Sequence, residues 1–210
     1  MGEKLNLKEL EKKAWRSFFQ DGLWDIYFGL LLLALGLSSF TTLINLPEPL
    51  NLIIILIPIY SIAILLLVLG KKYITTPRIG YIKFGTKRKK IKKKLALILG
   101  IQVIITCIMV IFTALGLFQY IQINSMIIML IIGLLFVALP VGIIAYFWDF
   151  PRLYIYGLLG GLGFFIAELL NPIIGQPLDL FIPYVIISGS MFIVGSRYFI
   201  KFLKTYPKVV

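Results

Sequence analysis

Apolar stretches of about 20 residues, nearly free of charge, recur along this chain, and each is long enough to cross a hydrocarbon layer of roughly 30 Å. Backbone N–H and C=O groups find no water in such a layer, so a spanning segment is either a helix or a strand of a closed barrel. The apolar runs are continuous and not alternating, which selects helices. Six spans are expected, at residues 24–46, 50–70, 95–118, 126–147, 153–170 and 181–200. Pro47-Glu48-Pro49 separates the first two as a tight hairpin, Asn171-Pro172 ends the fifth, and Pro183 falls in the first turn of the sixth. The expected fold class is an all-α, multi-pass integral membrane protein. Composition agrees: 14% of the residues are charged, against about 25% in soluble domains.

The charges that remain orient the chain. Of its 21 Lys and Arg, five lie before the first span, eleven between Lys71 and Lys94, one at Arg152, and four from Arg197 to Lys208. With six spans all of these fall on one side, and the other connections carry none. The positive-inside rule then makes both termini cytoplasmic, in a cell membrane. Five or seven spans would scatter the basic residues over both sides.

Residues 1–23 form a cytoplasmic segment. Leu7, Leu10, Ala14, Trp15 and Phe18 share one helical face, with Glu9, Lys13, Arg16 and Gln20 opposite, as in an amphipathic helix lying along the interface. This segment mixes Glu and Lys and leads into an apolar run too long for a signal-peptide core, so no cleavage is expected. Asp21 and Asp25, four apart and on one face, read as local charge balance and helix-dipole compensation, or else as a binding pair. The six-helix domain occupies residues 24–200, with a basic loop at 71–94 and a cytoplasmic tail at 201–210. That loop is shorter than the roughly 40 residues a small domain needs for a core. Within it, Tyr73-Ile74-Thr75-Thr76 and Tyr81-Ile82-Lys83-Phe84 flank Pro77-Arg78-Ile79-Gly80 and read either as a small β-hairpin or as an extended connector. Lys87, Arg88, Lys89, Lys90, Lys92, Lys93 and Lys94 form a dense basic run next to the third span. Together with Arg78, this run is the candidate contact for anionic lipid headgroups or a membrane-protein partner. Aromatics are not interleaved in it, so no nucleic-acid partner is expected.

Asp21-Gly22-Leu23-Trp24-Asp25 followed by Gly29, together with Pro77-Arg78-Ile79-Gly80-Tyr81-Ile82, resembles uncharacterised small multi-pass membrane proteins of bacteria and archaea. The resemblance covers about a dozen residues and implies a prokaryotic origin but no activity. The preference for Lys, 16 against 5 Arg, points the same way.

Within the spans, polar residues are the pointers to function. Ser38, Thr41 or Thr42, and Asn45 share a face in the outer half of span one, and Glu168 and Asn171 lie near the outer end of span five. Together these six residues could line a polar pocket, with Glu168 either a substrate or proton site or an interfacial residue. Gly157 and Gly161 have GxxxG spacing, and Ser188, Gly189, Gly195 and Ser196 place small residues on span six, so these spans should pack closely on each other or on a neighbour, or form a homo-oligomer seam. Pro58 and Pro140 should kink their helices. Cys107 reads as a small buried hydrophobe.

His is absent and Cys occurs once, which excludes His-dependent metal sites, Ser-His or Cys-His nucleophiles and disulfides. No serine-hydrolase motif or paired intramembrane aspartates occur, so neither an enzyme nor a cofactor is expected. Two functions fit: a small permease-like protein or transporter membrane subunit, and a non-transporting scaffold or regulator that binds anionic lipid and a cytoplasmic partner. The topology has a direct test. A reporter fused after Val210 should be active only in the form that requires the cytoplasm; activity in the externally active form would refute six spans.

Overall fold

A computed structural model describes residues 19, 21–43, 48–79, 86–114 and 124–207. The amphipathic segment lies outside these apart from Phe19 and Asp21 onward. Among the described residues all regular structure is helical. Helix α1 is Leu23–Ser38, extended by a 3-10 turn at Ser39–Leu43. Helix α2 is Glu48–Gly70, continued by a π-helical turn at Lys71–Thr75 and a last α-helical turn at Thr76–Ile79. Helix α3 is Thr86–Ala114. Helices α4, Ser125–Gly133, and α5, Leu139–Trp148, are joined by a π-helical turn at Leu134–Ala138. Helix α6 is Arg152–Ile174 and α7 is Leu178–Thr205.

Five segments among the described residues are long and apolar enough to cross a membrane: Leu23–Thr41, Ile53–Ile79, Ser125–Trp148, Arg152–Ile174 and Leu178–Thr205. The third expected span falls on α3, whose first turns carry the basic run, so that its described side chains mix lysines with apolar residues.

The two readings offered within 71–94, a small β-hairpin or an extended connector, are both corrected at residues 73–76. The hairpin's first strand, 73–76, is helical, and the second, 81–84, lies outside the described residues. Helix α2 leads directly into this segment, and a continued helix pairs backbone groups that a two-stranded hairpin would leave open along its edges. Within the expected basic loop, the described residues 71–79 and 86–94 are helical. Two further boundaries shift. Helix α6 passes through Pro172 to Ile174, and α7 begins at Leu178, placing Pro183 beyond its first turn.

Both π-helical turns have the same cause. Each ends two residues before a proline, Thr75 before Pro77 and Ala138 before Pro140. A proline inside a helix has no N–H for the carbonyl four residues back, and its ring crowds that carbonyl. Widening the preceding turn relieves the crowding. In the second case Leu139 N–H reaches back to the Leu134 carbonyl, so neither Leu139 nor Pro140 supplies a donor for the Leu135 carbonyl. Gln102 of α3 supplies it through Nε2 at 3.0 Å.

The chain divides into two units, residues 1–83 with 184–210, and residues 84–183. In the first, α1 and α2 pair antiparallel, and α7 contributes a buried stripe of Tyr184, Ile187, Ser188 and Met191 at helical spacing. Gly22, at φ +82°, meets the Gly195 carbonyl so closely that a Cβ could not fit, and a Cβ on Gly195 would lie 3.0 Å from Asp25 Cβ. In the second unit, α6 packs on α4, the π turn and α5. Gly161 crosses the backbone of Gly133, and a Cβ on Gly157 would lie 3.0 Å from Val141 Cβ. The expected close packing of span five is therefore made against span four. Cys107 is exposed on α3, not buried.

Replacing Gln102 with Leu should leave the Leu135 carbonyl unpaired at low dielectric and cost about 1–3 kcal/mol. Denaturant titration of the protein in mild detergent reads this; a midpoint equal to wild type would remove Gln102 from this role.

Candidate functional site

The strongest concentration of buried charge lies where α1 begins and α2 ends, within the first unit. Asp21 precedes α1, and its Oδ1 accepts the Leu23 N–H at 3.2 Å. This is the local turn that a short carboxylate favours beside a left-handed glycine. Its Oδ2 accepts from Lys71 Nζ at 2.6 Å and from Thr75 Oγ1 at 2.6 Å. The carboxylate is wholly buried and the lysine nearly so. Lys71 and Thr75 open and close the π-helical turn, whose wider winding helps bring two residues four apart onto the same acceptor. Thr76 Oγ1 bonds the Lys71 carbonyl at 2.7 Å, which fixes the turn from its other side.

Aromatic rings surround the pair. Trp24 lies 5.7 Å from Phe19 and 6.1 Å from Phe28, and Lys71 Nζ is 5.9 Å from the Trp24 ring centroid. Asp25 is fully buried one turn further along α1. A second cation acts nearby on the backbone: Arg78 Nη1 donates to the Tyr206 carbonyl at 2.8 Å and the Leu203 carbonyl at 3.3 Å. These carbonyls belong to the C-terminal end of α7, where a positive group satisfies both the orphan acceptors and the helix dipole. Asp21 with Lys71 therefore joins α1 to α2, and Arg78 joins α2 to α7. The chemistry of this arrangement is structural: opposite charges neutralise each other, and the carboxylate has several donors.

The candidate residues read from sequence are placed as follows. Ser38 and Thr41 are half-buried, and their hydroxyls donate to the Leu35 and Ser38 carbonyls of their own helix, each at 2.7 Å. The Thr42 side chain and Asn45 lie outside the described residues. Ser38 and Thr41 belong to the first unit, Glu168 and Asn171 to the second. Glu168 is half-buried, and Asn171 Nδ2 donates to Asp179 Oδ2 at 3.0 Å across the turn between α6 and α7. Lys90, Lys92, Lys93 and Lys94 are exposed on the first turns of α3, while the side chains of Lys87, Arg88 and Lys89 lie outside the described residues. Arg78, grouped with them in sequence, is engaged with α7.

Lys71 and Thr75 were missed as partners of Asp21, although a signal existed. In an antiparallel helix pair, residues equally far from the connection face each other, and Asp21 and Lys71 stand symmetrically about Leu46-Pro47. No family model, curated protein or solved structure matches this chain.

Removing one partner of a buried pair leaves an uncompensated charge and costs about 3–5 kcal/mol, whereas replacing both with apolar residues is often neutral. Lys71→Met should therefore destabilise the protein by that amount in detergent unfolding, and Asp21→Leu/Lys71→Met should recover most of it. A single variant as stable as wild type would show that the pair carries no such weight.

Proposed function

We propose that this protein is a non-transporting scaffold or regulator of a prokaryotic cell membrane. In this reading it has six spans, the sixth supplied by α3, with both termini cytoplasmic, and a basic inner surface that engages anionic lipid and a membrane-protein partner. The observation that carries the reading is the use made of the polar side chains within the helices. The hydroxyls of Ser38, Ser39, Thr41, Thr106, Ser188 and Ser190 each donate to a carbonyl three or four residues back on their own helix. Gln102 serves the carbonyl released by Pro140, and Lys71 serves Asp21. Polar groups spent in this way stabilise helices and offer little to a passing hydrophilic solute. The exposed lysines at the start of α3, each contributing about 1 kcal/mol near an anionic surface, support lipid engagement. Exposed apolar residues along that helix, including Leu97, Ile101, Ile104 and Ile108, support its placement in lipid.

The permease-like reading draws on one feature, the polar end of α6, where Glu168 stands one turn before the Asn171–Asp179 hydrogen bond. The two functions separate in one experiment. Purified protein in liposomes should pass protons, potassium ions and small amino acids no faster than protein-free liposomes. A saturable flux that disappears in Glu168→Gln would overturn the scaffold reading.

A further inference from the structure

Beside the ion pair, a cavity of about 330 Å³ lies between α1 and α2. Leu23, Tyr27 and Leu30 line it from α1, Ala63 and Leu66 from α2, and Tyr73 from the π-helical turn. Its wall is almost wholly apolar, and one side is open along the exposed residues Leu66 and Tyr73. Dry apolar cavities of about 150 Å³ already take up benzene, and ligand pockets begin near about 300 Å³. The space therefore suits a length of a single alkyl chain.

Charge at the mouth narrows the occupant. Lys72 is exposed, and its Nζ lies 5.3 Å from the ring centroid of Tyr73, which is itself part of the cavity wall. Lys71 is committed to Asp21, so Lys72 adds a positive charge at the cavity mouth beyond that neutralised pair. An apolar slot with an ammonium at its rim complements an amphiphile whose head is anionic. We infer that this groove holds one acyl chain of an anionic phospholipid, with the lipid phosphate against Lys72. The inference rests on the proposed orientation for its leaflet, since that orientation puts Lys71 and Lys72 at the cytoplasmic face, where anionic lipids give a negative surface potential. It does not depend on whether the protein transports.

Native mass spectrometry of the full chain in mild detergent provides the test, with equal amounts of dioleoyl phosphatidylglycerol and dioleoyl phosphatidylcholine added. The wild type should retain phosphatidylglycerol over phosphatidylcholine by about fivefold, the ratio expected from one added lysine contact. Lys72→Gln should bring the ratio close to one. Leu66→Trp, a change at an exposed position that fills the groove without touching the ion pair, should reduce retention of both lipids. Equal retention by the wild type would overturn the site, as would a preference unchanged in both variants, because such a preference would belong to the basic run on α3. A photoreactive phenylalanine in place of Leu66 should crosslink lipid; crosslinks to residues 1–18 of this chain or to a second copy would assign the groove to that occupant instead. Liposome flux reads transport separately, so failure of the lipid site and failure of the scaffold reading are distinguishable.

Discussion

A lysine and an aspartate excluded from water at the end of an apolar hairpin determine how the first unit is built. Desolvating either charge alone would cost several kcal/mol, so the pair survives burial only when the geometry is close and the remaining lone pairs are occupied. Asp21 meets both conditions, accepting from Lys71, Thr75 and the Leu23 backbone. Neighbouring features serve that arrangement. Gly22 gives the left-handed turn that sets the carboxylate ahead of α1, and lets α7 approach at Gly195 where a side chain would collide. Pro77 forces the widened turn from which Lys71 and Thr75 reach one oxygen. Arg78, one residue further, secures the end of α7.

The second unit is held by different means. Helices in lipid gain little from hiding apolar surface against one another, because acyl chains are as apolar as leucine; close packing and hydrogen bonds must do the work. Gly133 and Gly161 bring α4 and α6 to backbone contact, and Gly157 seats Val141 of α5. Gln102 ties α3 to the turn before Pro140. The outward faces are correspondingly uncovered: Ile127, Ile131 and Leu139 on α4 and α5, and Ile155 and Leu158 on α6, are exposed. Uncovered apolar faces of this extent are compatible with helices long and apolar enough to cross a membrane.

Much of this was legible in the sequence. Five of the six expected spans coincide with helices long and apolar enough to cross, because continuous apolarity of that length leaves the backbone few alternatives. The close approach at Gly157 and Gly161 followed from their spacing, although the partner helix did not. The hairpin reading does not hold at 73–76 because the helix entering from α2 continues through Pro77, absorbing the proline by widening one turn. Of the expected polar pocket, Ser38 and Thr41 turn their hydroxyls to carbonyls of their own helix. A serine or threonine in an apolar helix looks like a binding group in a one-dimensional reading, yet its nearest acceptor is the carbonyl one turn back. Asp21 and Lys71 lie 50 residues apart, and their pairing emerges only when α1 and α2 are set antiparallel.

Among the described side chains, the basic residues between Lys71 and Lys94 fall into two populations. Lys71 and Arg78 point inward and are consumed by a carboxylate and by helix-end carbonyls; substituting either disturbs packing before it disturbs any surface. Lys72, Lys90, Lys92, Lys93 and Lys94 are exposed. Because α2 extends to Ile79 and α3 starts at Thr86, these exposed lysines sit on helical turns and not on a slack loop, and their spacing is set by the backbone. Among the described residues, the positive charge of this segment is thereby divided between holding helices together and an exposed set carried on helical turns.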